Sequence, residues 1–200
     1  MYNYPQKLQK LINEISKLPG IGPKMAERVS IHILKKDVEY IDNFKEILEE
    51  IKTLGFCTIC FNVSEGPVCD ICADDGRDKS IICVVESSED VITIERTGKF
   101  RGYYHILQGL VNPLNNVLPE NLRIAELIKR IGKDPVKELI LALNHTVEGD
   151  ATSMFISAML HDDDNNVITT RLAKGLPMGS DIRYADEITL GQAILERKQV

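Results

Sequence analysis

Ser80-Ile-Ile-Cys-Val-Val85 is a continuous apolar run rich in β-branched residues. Such a run predicts a strand that is buried on both faces, as in a parallel sheet covered by helices. Downstream of it, stretches with helical and strand periods alternate, which is the pattern of an α/β fold. The predicted elements are a helix over 88–99, a strand over 103–107, a helix over 124–131, a strand over 138–143, a helix over 151–160 and a strand over 166–171.

The sequence on either side of this α/β region has a different character. Residues 5–53 repeat apolar side chains at helical spacing, interrupted by Pro19-Gly20-Ile21-Gly22-Pro23. Residues 54–78 are turn-rich, carry four cysteines and are too few to form a core of their own. The end of the chain predicts a short helix near 190–197. We therefore expect four regions: 1–53, 54–78, 79–175 and a C-terminal tail over 176–200.

The composition is that of a folded protein. Of 200 residues, 44% are hydrophobic and 27% charged, which excludes wholesale disorder and a collagen-like chain. No stretch approaches the ~18 consecutive apolar residues of a membrane span, and the N-terminus is too polar for a signal peptide. We expect a cytoplasmic protein without a membrane partner. Its five cysteines are then expected to be metal ligands or buried thiols rather than disulfides.

Charge is distributed unevenly along the chain. The formal net charge of −6 argues by itself against a nucleic-acid binder. Residues 1–36, however, carry seven Lys or Arg and two acids, a net charge of +5 that leaves −11 for the rest. This asymmetry favours a basic contact surface on an acidic body. The alternative is a solvated helical face, since most short basic stretches are of that kind.

Two Cys-x-x-Cys pairs lie close together in the sequence. Cys57 and Cys60 are separated from Cys69 and Cys72 by eight residues. Two tight turns of this kind can close a tetrahedral Zn²⁺ site with four sulfur ligands and no open position, which predicts a structural zinc finger. A redox pair and an iron–sulfur cluster are the alternatives. Cys83 lies within the apolar run and is expected to be a small buried hydrophobe.

Leu18-Pro-Gly-Ile-Gly-Pro-Lys-Met-Ala-Glu-Arg28 joins the first two predicted helices. Gly20 and Gly22 permit a tight turn that directs backbone N–H groups and a helix N-terminus at a phosphate. Lys24 and Arg28 are four residues apart, so they share a helix face that can follow a phosphate backbone. The string resembles the helix-hairpin-helix motif, which implies DNA binding without sequence preference through these four residues. The alternative is a hairpin used for protein packing alone.

Acidic residues follow two of the predicted strands. Glu86 ends the apolar strand, and Asn144-His-Thr-Val-Glu148-Gly-Asp150 follows the strand over 138–143. The C-terminal edge of a parallel sheet is the usual place for a ligand site. The arrangement resembles the Toprim domain, whose enzymatic members hold Mg²⁺ with a glutamate after the first strand and an Asp-x-Asp-x-Glu run after a later one.

Matched position by position to that pattern, the chain keeps Glu86 and Glu148 and has Asn144 and Thr146 in place of the two aspartates. Asp150 adds an acid just beyond. Much of the charge that would hold Mg²⁺ is therefore missing. We expect this acidic edge (Glu86, Glu148 and Asp150) to bind a partner or to bind metal weakly, with no catalytic residues and no catalytic need for Mg²⁺. Capping or solvated carboxylates are the alternative.

Helix-hairpin-helix, four-cysteine finger and Toprim domain, in that order within 200 residues, resemble one family, the bacterial RecR recombination proteins. Four further strings agree with this family: 77–86, 102–109, 148–152 and 170–179. The resemblance extends from about Tyr4 to Arg197. His145 stands where the family usually has a proline, and we expect it to be a loop residue.

The resemblance implies a recombination mediator in DNA repair that lacks catalytic activity. Such proteins act with RecO and RecF at gapped DNA or at junctions of single and double strands, and help RecA to replace single-strand-binding protein. They form dimers and ring-like tetramers through the N-terminal region and the C-terminal tail. In a ring the basic 1–36 segments of several subunits would line one hole. The acidic edge would suit a basic surface on RecO.

Two other functions remain open on the sequence. One is a Mg²⁺-dependent Toprim nuclease or topoisomerase-like enzyme that uses the acidic edge. Against this enzyme, the chain has no tyrosine in an evident catalytic motif. Its Tyr103, Tyr104 and Tyr184 are expected to pack on or near strands. The other is an interaction scaffold whose hairpin never contacts DNA.

Overall fold

The computed structural model describes residues 4–161 and 167–197. The chain divides into two compact units, one ending at Leu54 and the other beginning at Gly55. No helix in the described ranges is long and apolar enough to cross a membrane. The order of elements confirms an α/β chain preceded by a helical region.

The first unit is helical throughout its described residues. Its elements are α1 (Gln6–Ile15), α2 (Pro23–Leu34), α3 (Val38–Glu50) and a short 3-10 turn (Ile51–Thr53). α1 and α2 pack on each other through Ile12, Ile15 and the fully buried Ala26. Because Ala26 has only a methyl group as its side chain, the two helices approach closely and the turn between them is tightly held.

α3 presents an apolar face that is exposed in the single chain. Asp37 caps the helix by accepting a hydrogen bond from the backbone N–H of Tyr40 at 2.8 Å. The exposed apolar side chains of α3 and of the turn after it are Val38, Tyr40, Ile41, Phe44, Ile47, Leu48 and Ile51. An apolar face of this size is unusual for a helix that packs only within its own chain.

The second unit is built on a parallel sheet. A small antiparallel pair, β1 (Gly55–Phe56) and β2 (Val63–Ser64), precedes it together with one turn of helix, α4 (Asp70–Ala73). The sheet strands are β3 (Asp78–Val85), β4 (Gly102–Ile106), β5 (Glu138–Leu141) and β6 (Ile168–Arg171). Their order is β4-β3-β5-β6 and all three pairings are parallel. The helices are α5 (Ser88–Glu95), α6 (Ile124–Ile131), α7 (Val147–His161) and α8 (Glu187–Leu195).

β3 is buried on both faces, as its sequence predicts. Ile82 and Val84 belong to the core formed with α6 and α7. Cys83 and Val85 belong to a second core, which contains α5 residues and three cysteines of the 57–72 segment. Side chains alternate along β3, so one face of the strand packs against α6 and α7. The other face packs against α5 and the cysteine segment.

Three helices have different bounds from those predicted. The helix predicted over 151–160 begins earlier, at Val147, and ends at His161. The helix predicted over 88–99 ends at Glu95, because the chain turns at Gly98 with φ of +62°. The last helix begins at Glu187, earlier than the predicted 190. There Asp186 accepts a hydrogen bond from the backbone N–H of Thr189 at 2.9 Å and caps the helix.

The predicted strands are confirmed with shifts of a few residues at their ends. The strand over 166–171 begins at Ile168, and the predicted first residue, Asn166, lies outside the described residues. Tyr103 and Tyr104 are buried in β4, as expected. The expectation for Tyr184 is wrong. Its side chain is 86% exposed at the end of a 3-10 turn that Asp181 caps, so no strand forms there.

Gly149 fixes the path of the chain between β5 and α7. A Cβ atom at this position would lie 1.9 Å from the carbonyl oxygen of Asn144. That oxygen is backbone, so it cannot move aside as a flexible side chain would. The close approach places Asn144 and the start of α7 next to each other, at the C-terminal edge of the sheet.

Gly149→Ala is therefore expected to lower the free energy of unfolding by about 2 kcal/mol or more, through overpacking. Gly191→Ala is the matched control, because a Cβ at that position in α8 would meet no atom within 4 Å and alanine favours helix. Urea denaturation of both variants measures the difference. Equal stabilities would contradict the close approach.

Candidate functional site

The four cysteines form one compact cluster. The Sγ atoms of Cys57, Cys60, Cys69 and Cys72 all lie within 4.8 Å of one another, and those of Cys60 and Cys69 are 3.5 Å apart. Tight turns hold them: the N–H of Phe61 donates to the carbonyl of Cys57 at 2.9 Å, and that of Ala73 to the carbonyl of Cys69 at 3.0 Å. The spacing suits a tetrahedral ion with metal–sulfur bonds of roughly 2.3 Å.

The pKa values of the thiols reflect this crowding. A hydrogen bond with Cys72, together with burial, raises the pKa of Cys60 far above its usual range. Burial raises the pKa of Cys69 to about 11. Burial acts in the same direction on Cys57, but backbone hydrogen bonds, the first from Cys69, outweigh it and lower the pKa to about 7. Four neighbouring thiols of this kind ionise together only around a cation. The residues therefore fit Zn²⁺, which would stabilise the fold.

The cysteine cluster is attached to the sheet. The N–H of Ile106, at the end of β4, donates to the carbonyl of Cys60 at 2.8 Å. From β2, the N–H of Val63 donates to the hydroxyl of Ser88 at the start of α5, at 3.2 Å. Three of the four cysteines are buried in the core that they share with β3 and β4. The metal site and the second face of the sheet are thus one structural unit.

The turn between α1 and α2 has an open helix N-terminus. Gly20 adopts φ of +78°, a left-handed conformation that favours glycine. Gly22 is the N-cap of α2 with extended backbone and supplies no side-chain cap, and Pro23 occupies the first helical position, as its sequence predicts. No acidic residue lies in the first turn of α2. The N–H groups and the dipole of α2 are therefore available to an anion.

Lys24 and Arg28 follow this turn along α2. Both side chains are partly or fully exposed and lie one helical turn apart. The intervening Glu27 accepts a hydrogen bond from the hydroxyl of Tyr4, which comes from the start of the chain. Lys24, Arg28 and the open turn thus form a continuous cationic surface on the first unit.

The acidic edge has a different arrangement from a metal site. Glu86, after β3, accepts a hydrogen bond from the side-chain amide of Asn144 at 3.0 Å. Asp150 accepts one from Arg171 at 2.7 Å, and the Nζ of Lys174 lies 3.7 Å from its other oxygen. The Arg171 hydrogen bond holds the pKa of Asp150 below its ordinary value. Within residues 4–161 and 167–197, the cysteine cluster is the one group of three or more such ligands close enough to hold a metal. Two carboxylates of the edge, those of Glu86 and Asp150, are thus bonded to amide or cationic groups of the chain itself.

Comparison with known proteins covers the chain almost from end to end. Family models match residues 8–52 (RecR, helix-hairpin-helix), 54–74 (RecR, four-cysteine zinc finger domain), 80–173 (Toprim domain) and 175–198 (RecR, C-terminal). The Recombination protein RecR of Saccharopolyspora erythraea is 46% identical over 201 residues, with both chains fully covered. That of Bifidobacterium adolescentis is 49% identical over 201 residues, with 98% of each chain covered.

The chain belongs to the RecR family. Membership agrees with the expected resemblance, and the match to the RecR zinc-finger model makes the cysteine cluster a structural zinc site rather than a redox pair or an iron–sulfur cluster. In this RecR-family chain the Toprim domain has the expected parallel sheet. Two of the carboxylates at its C-terminal edge, those of Glu86 and Asp150, have amide or cationic partners within the chain.

Sequence reasoning missed Arg171 and Lys174 as partners of Asp150. Both lie in the 170–179 string that characterises the family, at and just after the end of β6. Parallel strands end at the same edge of a sheet. A cation at the end of the last strand could therefore have been predicted to lie near the carboxylates that follow the other strands. His145 is an exposed loop residue, as expected, and its Nδ1 lies 3.5 Å from Arg171.

A single Zn²⁺ per chain is expected by metal analysis, since the site has four ligands and no second ion to hold. Cys60→Ser should abolish it and lower the free energy of unfolding by at least about 3 kcal/mol, a fraction of the ~10–16 kcal/mol with which zinc-finger peptides bind the ion. Cys83→Ala is the control, because Cys83 lies outside the cluster, where burial raises its pKa to about 12. Full zinc in Cys60→Ser would contradict the site.

Proposed function

We propose that this chain is a DNA-binding recombination mediator that performs no cleavage of its own. The observation that carries the proposal is the open N-terminus of α2 with Lys24 and Arg28 beside it, in a chain whose relatives are named Recombination protein RecR. The mediator acts in the cytoplasm, at gapped DNA or at junctions of single and double strands. There it cooperates with RecO and RecF to help load RecA.

The contact with DNA is to its backbone. A phosphate placed before α2 would accept hydrogen bonds from N–H groups of the turn at Gly20 and Gly22, and Lys24 and Arg28 would meet phosphates further along the strand. None of these groups reads base edges, so the binding carries no sequence preference. This suits a protein that acts wherever a gap occurs.

Binding by one chain is weak and assembly strengthens it. Residues 1–36 carry a net charge of only +5 on a chain of net charge −6. The exposed apolar face of α3 suits contact with a second copy, as do exposed side chains of the C-terminal segment such as Met178, Ile188 and Leu195. A dimer or a ring-like tetramer places several α2 turns on one DNA, which multiplies their effect.

The acidic edge serves binding instead of chemistry in this proposal. Phosphoryl transfer in Toprim enzymes uses carboxylates that gather around Mg²⁺. In this chain Asn144 is bonded to Glu86 and Arg171 to Asp150, and Asn144 and Thr146 bring no charge. An edge of this kind, which includes the half-buried Glu86 and Glu148, suits a basic surface on RecO.

Lys24→Gln combined with Arg28→Gln is expected to weaken binding to gapped DNA at least tenfold. It should also flatten the dependence of log K on log salt by about 2, roughly one unit for each lost phosphate contact. Fluorescence anisotropy across a salt series measures both quantities. Lys99→Gln with Lys137→Gln removes the same charge from the second unit and should leave both unchanged.

Gly22→Ala makes this test sharper. Gly22 has φ of −78° and no atom within 4 Å of a Cβ, so the added methyl group strains nothing in the fold. A loss of affinity in this folded variant would place the phosphate at the N-terminus of α2. Unchanged DNA binding in both variants would leave the hairpin as a packing element and contradict the proposal.

Glu86→Ala combined with Glu148→Ala should reduce co-purification of RecO with this chain by at least tenfold, because two carboxylates are removed from the contact. Glu65→Ala with Glu120→Ala removes equal charge from exposed positions outside the acidic edge and serves as the control. Full retention of RecO by the Glu86/Glu148 variant would exclude this edge as the RecO surface.

A further inference from the structure

The second unit contains a cleft of about 510 Å³ between the cysteine segment and α6. Its lining includes Ile59 and Phe61 from the cysteine segment, Lys79 and Tyr103 from the sheet, and Lys129 and Lys133 from the region of α6. Lys79 and Tyr103 are near the N-terminal ends of β3 and β4. The cleft is therefore distinct from the acidic edge, which lies at the opposite ends of the strands. Its size is within the range of small-molecule sites.

The cleft concentrates positive charge on an acidic unit. Residues 55–200 contain 15 Lys or Arg and 22 Asp or Glu, for a net charge of −7. Four of the cations nevertheless line this one cleft: Lys79, Lys129, Arg130 and Lys133. Like charges gathered on a surface of opposite overall sign repel one another, so an anionic ligand would relieve the cost of bringing them together.

The two acidic residues in the lining are already paired. Glu126 accepts a hydrogen bond from Arg123 at 3.0 Å, and Asp134 one from the Nε of Arg130 at 3.3 Å. Arg130 also donates to the carbonyl oxygen of Tyr104 at 2.7 Å, so its guanidinium is fixed in place.

Lysines in the same cleft differ in their pairing. Lys79 pairs with the exposed Asp75 at 2.9 Å. Lys129 and Lys133 make no ion pair with any residue in the described ranges 4–161 and 167–197. They lie four residues apart, in the last turn of α6 and just after it, and their ammonium groups are free to bind neighbouring phosphates of one ligand.

The facing wall is apolar. Ile59 is 39% exposed in the turn between Cys57 and Cys60. Phe61 has φ of +65° just after this turn, and its ring packs edge-on against His105 with centroids 5.4 Å apart. The Arg123 guanidinium lies over the ring, 4.9 Å from its centroid, so a ligand would meet the part of the ring that Arg123 leaves uncovered. A ligand that spans the cleft thus meets an apolar surface on one side and two ammonium groups on the other. That combination suits a flat ring system attached to phosphate.

We infer that this cleft binds a nucleotide, with the base against Ile59 and Phe61 and the phosphates at Lys129 and Lys133. The nucleotide is either free in solution or a unit of a DNA strand. The site is separate from the turn at α2 and goes beyond the proposed DNA contact. In its strand-bound form it rests on the proposed function, because it adds a second place at which the mediator holds DNA.

Calorimetry with the full, zinc-loaded chain tests the inference in a Lys24→Gln/Arg28→Gln background, so that the α2 turn contributes nothing to binding. The probes are deoxyadenosine triphosphate, a short 5′-phosphorylated oligothymidine and a hexaglutamate peptide. Lys129→Gln with Lys133→Gln is expected to weaken nucleotide binding at least tenfold. Lys99→Gln with Lys137→Gln should leave it unchanged. Both pairs are exposed, so neither is expected to alter the fold.

A second variant tests the apolar wall. Ile59→Asp places a carboxylate where the base would lie and should weaken deoxyadenosine triphosphate by at least tenfold. The same variant should weaken the binding of inorganic pyrophosphate by a smaller factor, because pyrophosphate has no base. Binding of the triphosphate alone would identify a free nucleotide, and binding of the oligothymidine alone would identify a DNA strand.

Three outcomes would overturn the inference: no binding of either nucleotide probe, equal loss in both lysine pairs, and hexaglutamate binding as tightly as the nucleotides. Loss of gapped-DNA binding in Lys24→Gln/Arg28→Gln with nucleotide binding intact would support the α2 proposal and this one independently. Unchanged gapped-DNA binding in Lys24→Gln/Arg28→Gln, with nucleotide binding intact, would reject the α2 proposal alone.

Discussion

The burial of β3 on both faces is the constraint on which the second unit depends. Ile82 and Val84 are covered by the helices α6 and α7, but Cys83 and Val85 face a side where α5 provides only eight helical residues. The cysteine segment completes that cover, and the hydrogen bond from Ile106 to Cys60 joins it to the edge of the sheet. A segment of this length cannot hold its shape by apolar burial alone. Zinc at the four thiolates therefore stabilises the core of the Toprim domain as well as its own loop.

The same framework separates the surfaces of the second unit to which we assign functions. Parallel strands bring the acidic edge to their C-terminal ends, where Glu86 is bonded to Asn144, and Asp150 to Arg171 and Lys174. The N-terminal ends carry the cationic cleft beside the zinc segment. The helical unit adds an open helix N-terminus on α2. In the function that we propose, each of these surfaces presents charge for binding, and the acidic edge carries out no phosphoryl transfer.

Local patterns in the sequence were enough to predict much of this. The run at 80–85, the paired cysteines and the Gly20/Gly22 turn each specify their structure within a few residues, and the structure has a parallel strand, a four-thiol cluster and an uncapped helix at these places. The partners of Asp150 and the cationic cleft depend on contacts between residues far apart in the chain, which no short pattern encodes. For Tyr184 a local pattern gave a wrong prediction. An aromatic side chain favours a strand, but the 3-10 turn that Asp181 caps determines the conformation of Tyr184.

A gel of the purified chain with gapped, end-labelled DNA and Mg²⁺, run native and denaturing side by side, tests the central claim most directly. The account predicts a retarded band whose strands remain intact, because the α2 turn binds phosphates and the acidic edge gathers no metal. Cut strands that persist after repurification and disappear in Glu148→Ala would contradict it. They would show that the edge catalyses with Asn144 and Thr146 in place of the two aspartates.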